Sequence, residues 1–136
     1  MNLVTCELCD SDGGEPLWRD DFCRVVLVND IDYPGFCRVI LNRHVQEMTD
    51  LSAAERNRLM AVVFAVEQVV REAVQPQKIN LASLGNVVPH MHWHVIPRFT
   101  DDKHFPNPIW GTTRRNADKR TVDIEDLRRK VIAALS

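Results

Sequence analysis

His90-Met91-His92-Trp93-His94-Val95-Ile96, opened by Pro89, decides how this chain is read, because histidine and apolar residues alternate through it. A β-strand sends successive side chains to opposite faces. The spacing predicts a strand over His90 to Ile96, with His90, His92 and His94 on one face and Met91, Trp93 and Val95 turned into the core. Three neighbouring imidazoles repel one another whenever more than one is protonated, so individually satisfied core histidines are the weakest of three readings. The second is a three-histidine metal centre with an open position that activates water. The third is nucleophilic catalysis, in which one neutral ring attacks phosphorus while its neighbours fix the tautomer and protonate the departing group.

Working outward, Phe22 to Asn29 is rich in β-branched residues and predicts a strand, Pro34-Gly35 a turn, and Phe36 to Leu41 the second arm of a hairpin. Ser52 with Glu55 forms a capping box, and Leu59, Val62, Val63, Val66, Val69, Val70 and Ala73 recur at helical spacing, so a long amphipathic helix is expected over Ala53 to Val74, ended near Pro76. Lys78 to Leu81 predicts a short strand and Gly85-Asn86 a turn ahead of the histidines. Asp101 to Asp118, with Pro106, Pro108 and Gly111, reads as a long irregular segment. Asp123 caps a last helix whose one face carries Ile124, Leu127, Val131 and Leu135. The fold class is α+β, a mostly antiparallel sheet with one long helix and a C-terminal helix, in a single domain over residues 1–136.

Composition narrows the function. The chain has 136 residues, 45% of them hydrophobic, with 17 Lys and Arg against 19 Asp and Glu for a net charge of −2. That balance argues against a dedicated nucleic-acid binder while leaving room for small anions. Charge interrupts every apolar stretch before a bilayer could be spanned, and Met1 to Glu15 is acidic rather than signal-like, so no membrane partner and a cytoplasmic location are expected. In such a reducing compartment Cys6-x-x-Cys9 reads as metal-binding or redox, whereas Cys23 and Cys37, set in apolar runs, read as small buried hydrophobes.

The run from His90 to Ile96, closed by Pro97-Arg98, resembles the signature of the histidine-triad family. The similarity extends from about Cys6 to Arg98 through the paired cysteines, the strand ending at Asn29, Pro34-Gly35, Asn42-Arg43-His44-Val45, the capped helix and Gly85-Asn86, with residues 99–136 as a C-terminal extension. The resemblance, to the bacterial diadenosine-tetraphosphate-hydrolase-like branch, implies a homodimeric nucleotide hydrolase or nucleotidyl transferase. It would release a nucleoside 5′-monophosphate from a phosphoramidate, a dinucleoside polyphosphate or a similar substrate, needing no metal for the chemical step. By position in the motif, His92 is implied as the nucleophile, forming a transient nucleotidyl-imidazole on its exposed edge of sheet, and His94 as the group contacting phosphate and managing the leaving group's proton. Gly85, Asn86, Val87 and Val88 are implied to cradle the α-phosphate through backbone donors. Asn29 matches a ribose contact, and Asn80 a residue supporting the bridging oxygen. Many relatives carry Gln and then Ser or Thr where Asn86 and Val87 stand, so the hydroxyl expected beside the leaving group is missing here.

The resemblance also implies a structural zinc held by Cys6, Cys9, His44 and His90, a closed Cys2His2 set that would pin the catalytic strand from behind. His104 belongs to neither set and is expected at the surface or a pocket rim. The stretch His104 to Trp110 offers aromatic area, and Arg114, Arg115, Lys119 and Arg120 positive charge, suited either to closing over a base or polyphosphate tail or to dimer surface. From the residues alone, two other classes stay open: a zinc hydrolase using His90, His92 and His94 as ligands, and a non-catalytic nucleotide-binding module.

Overall fold

A computed structural model describes residues 5–136; the first four residues of the acidic start lie outside that range. One helical turn, α1 (Glu7–Asp10), leads into β1 (Glu15–Arg19), β2 (Cys23–Leu27) and β3 (Cys37–Leu41). Helix α2 (Ala53–Val74) follows a short 3-10 turn over Met48–Asp50, and β4 (Lys78–Ala82), β5 (His92–Arg98) and α3 (Ile124–Leu135) complete the chain. The strands form one antiparallel sheet in the order β1-β2-β3-β5-β4.

Helix α2 begins and ends where its chemistry dictates. The Ser52 hydroxyl accepts from Glu55 N at 3.2 Å while the Glu55 carboxylate accepts from Ser52 N at 2.9 Å, so two donors with no intrahelical partner are satisfied reciprocally. At the other end Gln75 turns left-handed at φ 55° just before Pro76. The predicted stripe of Leu59, Val62, Val63, Val66, Val69 and Val70 is buried. At about 2 kcal/mol per buried aliphatic side chain, that stripe outweighs anything helix propensity supplies. Helix α3, capped by Asp123, inserts Leu127 and Val131 into the same core, so both helices cover one face of the sheet.

Among the described residues the opposite face carries no long helix. Leu8 of α1 packs there on Val26 and Ile40, with Cys6 and Val88 beside them. Tyr33, Phe36 and Ile96 form a second cluster with Val28 and Ile109. His92 and His94 share this face.

Three expectations need correction. The histidine strand begins at His92 rather than His90, because its neighbour β3 ends at Leu41: Met91 then bridges, its carbonyl accepting from Leu41 N at 3.1 Å and its N–H donating to Val45 at 2.6 Å. β5 is an interior strand between β3 and β4, not an exposed edge. Strand β1 was not anticipated; an edge strand tolerates its Pro16, and the register shifts between Pro16 and Trp18. Cys23 and Cys37 are fully buried, and burial pushes each thiol up to about 12, as inert core residues require.

Candidate active site

β5 delivers the histidines by strand alternation. Met91, Trp93 and Val95 join the core under α2, and His92 and His94 come up on the other face with their rings 4.9 Å apart, edge to face. His92 Nδ1 lies 2.6 Å from the His90 carbonyl oxygen. A carbonyl only accepts, so Nδ1 carries the hydrogen and Nε2 keeps its lone pair. Among the described residues Nε2 has no hydrogen-bond partner. Burial pushes the His92 pKa below the ordinary histidine value despite the His90 carbonyl, and the Arg38 charge adds to the shift, so the ring is neutral at cell pH.

His94 is packed more closely. Trp110 lies 5.0 Å from its ring centroid and Phe36 5.6 Å, and its Nδ1 is buried with no partner. Burial, then the charges of His92 and Arg38, drive its pKa down to about 3.

His90 turns elsewhere. Its Nε2 donates to the Leu41 carbonyl at 2.6 Å, leaving the Nδ1 lone pair 3.3 Å from Cys6 Sγ, 3.4 Å from Cys9 Sγ and 3.2 Å from His44 Nδ1. Cys9 Sγ is 3.5 Å from His44 Nδ1, and the four ligand atoms lie within 4.8 Å of one another. In a tetrahedron with metal bonds of about 2.3 Å to sulfur and 2.0 Å to nitrogen, the S···N edges are about 3.5 Å and the N···N edge about 3.3 Å. The cluster therefore fits a metal ion of that size, with one ligand oriented by a backbone carbonyl as metal-bound histidines usually are. The three strand histidines do not converge on one point, because the free nitrogen of His90 faces the cysteines.

The remaining predicted residues distribute unevenly. Asn80 lies on β4 with its Oδ1 accepting from Arg98 at 2.7 Å. Arg98 is fixed in turn by the Asp102 carboxylate at 2.8 and 3.1 Å. Asn29 is exposed beyond the end of β2 and makes no side-chain hydrogen bond among the described residues. Gly85 takes φ +70°, and the N–H groups of Asn86, Val87 and Val88 form no hydrogen bond there either. The Val87 side chain is 93% exposed, while Val88 joins the Leu8 cluster.

His104 is half-buried, its Nδ1 2.6 Å from the Tyr33 hydroxyl and its ring stacked on Tyr33. Of the basic residues suggested for a phosphate tail, Arg115 is spent on the carbonyls of Asp102 and Phe105, and Arg120 lies over Phe99 and pairs with Asp101. Sequence reading missed Ser83, whose hydroxyl donates to the His92 carbonyl at 2.7 Å, the Arg98-Asp102 pair, and Arg38 opposite His94. The signal for Arg38 was present, as a charged residue inside an otherwise apolar strand.

An antiparallel sheet backed by one long helix, with alternate histidines on an interior strand, is the architecture of histidine-triad proteins. The chain belongs to the HIT domain family, whose pattern matches residues 15–101. Among solved structures, a histidine triad protein from Sinorhizobium meliloti superposes with a TM-score of 0.74 at 25% identity, covering 97% of this chain and 96% of that one. One from Bradyrhizobium japonicum gives 0.71 at 27% identity, covering 90% and 89%. Among curated proteins, an AP-4-A phosphorylase of Mycobacterium tuberculosis is 31% identical over 85 residues, 58% of this chain and 44% of that protein. An asymmetrical bis(5'-nucleosyl)-tetraphosphatase of Schizosaccharomyces pombe is 34% identical over 88 residues, 61% and 48% of the respective lengths. The chain thus spans less than half the length of the curated relatives it matches.

Proposed function

We propose that this protein is a nucleotide hydrolase or nucleotidyl transferase that releases a nucleoside 5′-monophosphate through a nucleotidyl intermediate on His92. The observation that carries the reading is the 2.6 Å contact of His92 Nδ1 with the His90 carbonyl, which leaves an unprotonated Nε2 as nucleophile. Nε2 attacks the α-phosphorus, the bond from phosphorus to the bridging oxygen or nitrogen breaks, and the leaving group takes its electron pair. His94 contacts the phosphate and helps manage the leaving group's proton. Water, or phosphate in a transferase, then attacks the same phosphorus and frees His92. The backbone donors of Gly85 to Val88 hold nonbridging oxygens, Asn29 meets the ribose, and Asn80, aimed by Arg98, supports the bridging oxygen.

The names of the matching relatives, both of which refer to dinucleoside tetraphosphates, support a dinucleoside polyphosphate as the substrate class. Cys6, Cys9, His44 and His90 would hold a structural zinc, tying the amino-terminal segment to the strand that bears His92. We further read residues 1–136 as one domain that forms a homodimer. A cytoplasmic location accords with four free cysteines, and no helix among the described residues is long and apolar enough to cross a membrane. The test is to incubate the protein with adenosine phosphoramidate and with diadenosine tetraphosphate, quench, and look for an acid-labile adenylyl adduct. A His92→Ala variant should form none; an adduct that survives this change, or turnover without one, overturns the reading.

A further inference from the structure

Four arginines of the sheet lie on or beside the face that carries His92 and His94, and three of them are spent on structure. Arg19 of β1, opposite Arg24 in the register, pairs with Asp12. Arg24 of β2, 4% exposed, donates to the carbonyls of Leu8, Ser11 and Asp12 and to Asn42 Oδ1. Arg98 of β5, 2% exposed, donates to Asp102, Asn80 and the Asn107 carbonyl. Arg38 of β3 differs. It pairs in register with His94, yet among the described residues it makes a single hydrogen bond, from a terminal nitrogen to the Gly13 carbonyl at 3.1 Å. Among the described residues its buried Nε has no partner and no carboxylate pairs with it.

A half-buried guanidinium with an unpaired donor is costly, and the cost is offset when an anion accepts from it. The buried, unpartnered His94 Nδ1 lies on the neighbouring strand and the same face, so two unmet polar groups adjoin across one register pair. A guanidinium brings a permanent positive charge to meet a phosphate, beside the two imidazoles. We propose that Arg38 is a phosphate-binding residue of this site, its guanidinium donating to nonbridging oxygens of the phosphoryl group that His92 attacks. The inference rests on the function proposed above and adds to it a permanent cation. A phosphoryl-transfer state spreads negative charge over those oxygens, and a planar fork of donors matches them better than a point charge.

Binding of AMP and of adenosine to the full chain, measured by calorimetry, tests this apart from turnover. Arg38→Gln should weaken AMP about tenfold or more and adenosine by less than about twofold, with Arg38→Lys intermediate, the loss expected for one charge-assisted contact. Equal weakening of both ligands would assign Arg38 to the nucleoside and overturn the proposal, as would an unchanged AMP affinity or a wild type that binds AMP no tighter than adenosine. Should the glutamine variant not fold, phenylglyoxal labelling of the wild type decides. AMP, and not adenosine, should shield Arg38, and labelling indifferent to AMP overturns the assignment. Arg38-dependent AMP binding without any His92 adduct would sink the catalytic reading and leave this one standing; an adduct with AMP binding indifferent to Arg38 would do the reverse.

Discussion

The carbonyl oxygen of His90 sits 2.6 Å from His92 Nδ1, so one histidine's backbone sets the tautomer of the next. The His90 side chain points instead to Cys6, Cys9 and His44. One residue therefore links the cluster able to hold a metal to the ring proposed to attack phosphorus.

Replacing that ring should remove the chemistry while leaving the fold. His92→Asn is expected to lower turnover of a dinucleoside polyphosphate by on the order of a thousandfold or more, since loss of a covalent nucleophile is not compensated by binding alone. Steady-state kinetics together with circular dichroism check it, and residual turnover within tenfold of wild type would contradict it.

The cysteine-histidine cluster should bind zinc at one ion per chain, and its loss should act through stability. Cys9→Ser or exhaustive chelation is expected to lower the melting temperature markedly, because ligation free energy is folding free energy. Metal analysis and thermal melts with and without added zinc are the measurements. An apo protein that melts at the same temperature as the loaded one would refute a structural role.

Acid stability should hinge on Asp102. Burial pushes its carboxyl upward, but hydrogen bonds from Arg98 and from the Phe99 and Phe105 N–H groups outweigh burial and hold its pKa down to about 2. The folded value lies below the ordinary carboxylate range, so the unfolded chain takes up the proton first. The stabilisation is complete above about pH 4 and is lost as pH falls toward 2. Asp102→Asn leaves the buried Arg98 charge uncompensated and should cost about 3 kcal/mol or more near neutrality. It should also flatten the stability profile between those limits in urea melts run across pH; an unaltered acid limb would count against the assignment.

Helix α2 offers a quantitative check on the local reading. Ser52→Ala removes the acceptor for Glu55 N and should destabilise the protein by about 1 kcal/mol without altering nucleotide binding. Denaturant midpoints and nucleotide titration measure the two effects separately.

Local chemistry made much of this legible in advance. Helix α2 spans Ala53–Val74 as its capping box and stripe predict, and α3 follows from Asp123 and its apolar face. The split of His92 and His94 from Trp93 and Val95 follows from strand alternation, which depends only on backbone geometry. The start of β5 was not legible, since it depends on where a distant partner strand ends, at Leu41, whose carbonyl holds His90.

The amino-acid order by itself determined which residues share a face, where the helices begin, and that imidazoles, thiols and a glycine turn were available, because these are consequences of short-range sterics and hydrogen bonding. Tertiary structure alone decided that β5 lies inside the sheet, that Arg98 is consumed by Asp102 while the buried Nε of Arg38 finds no partner among the described residues, and that Trp110 closes on His94. Those are pairings between distant segments, and the charge a group sees is set by what packs against it rather than by its neighbours along the chain.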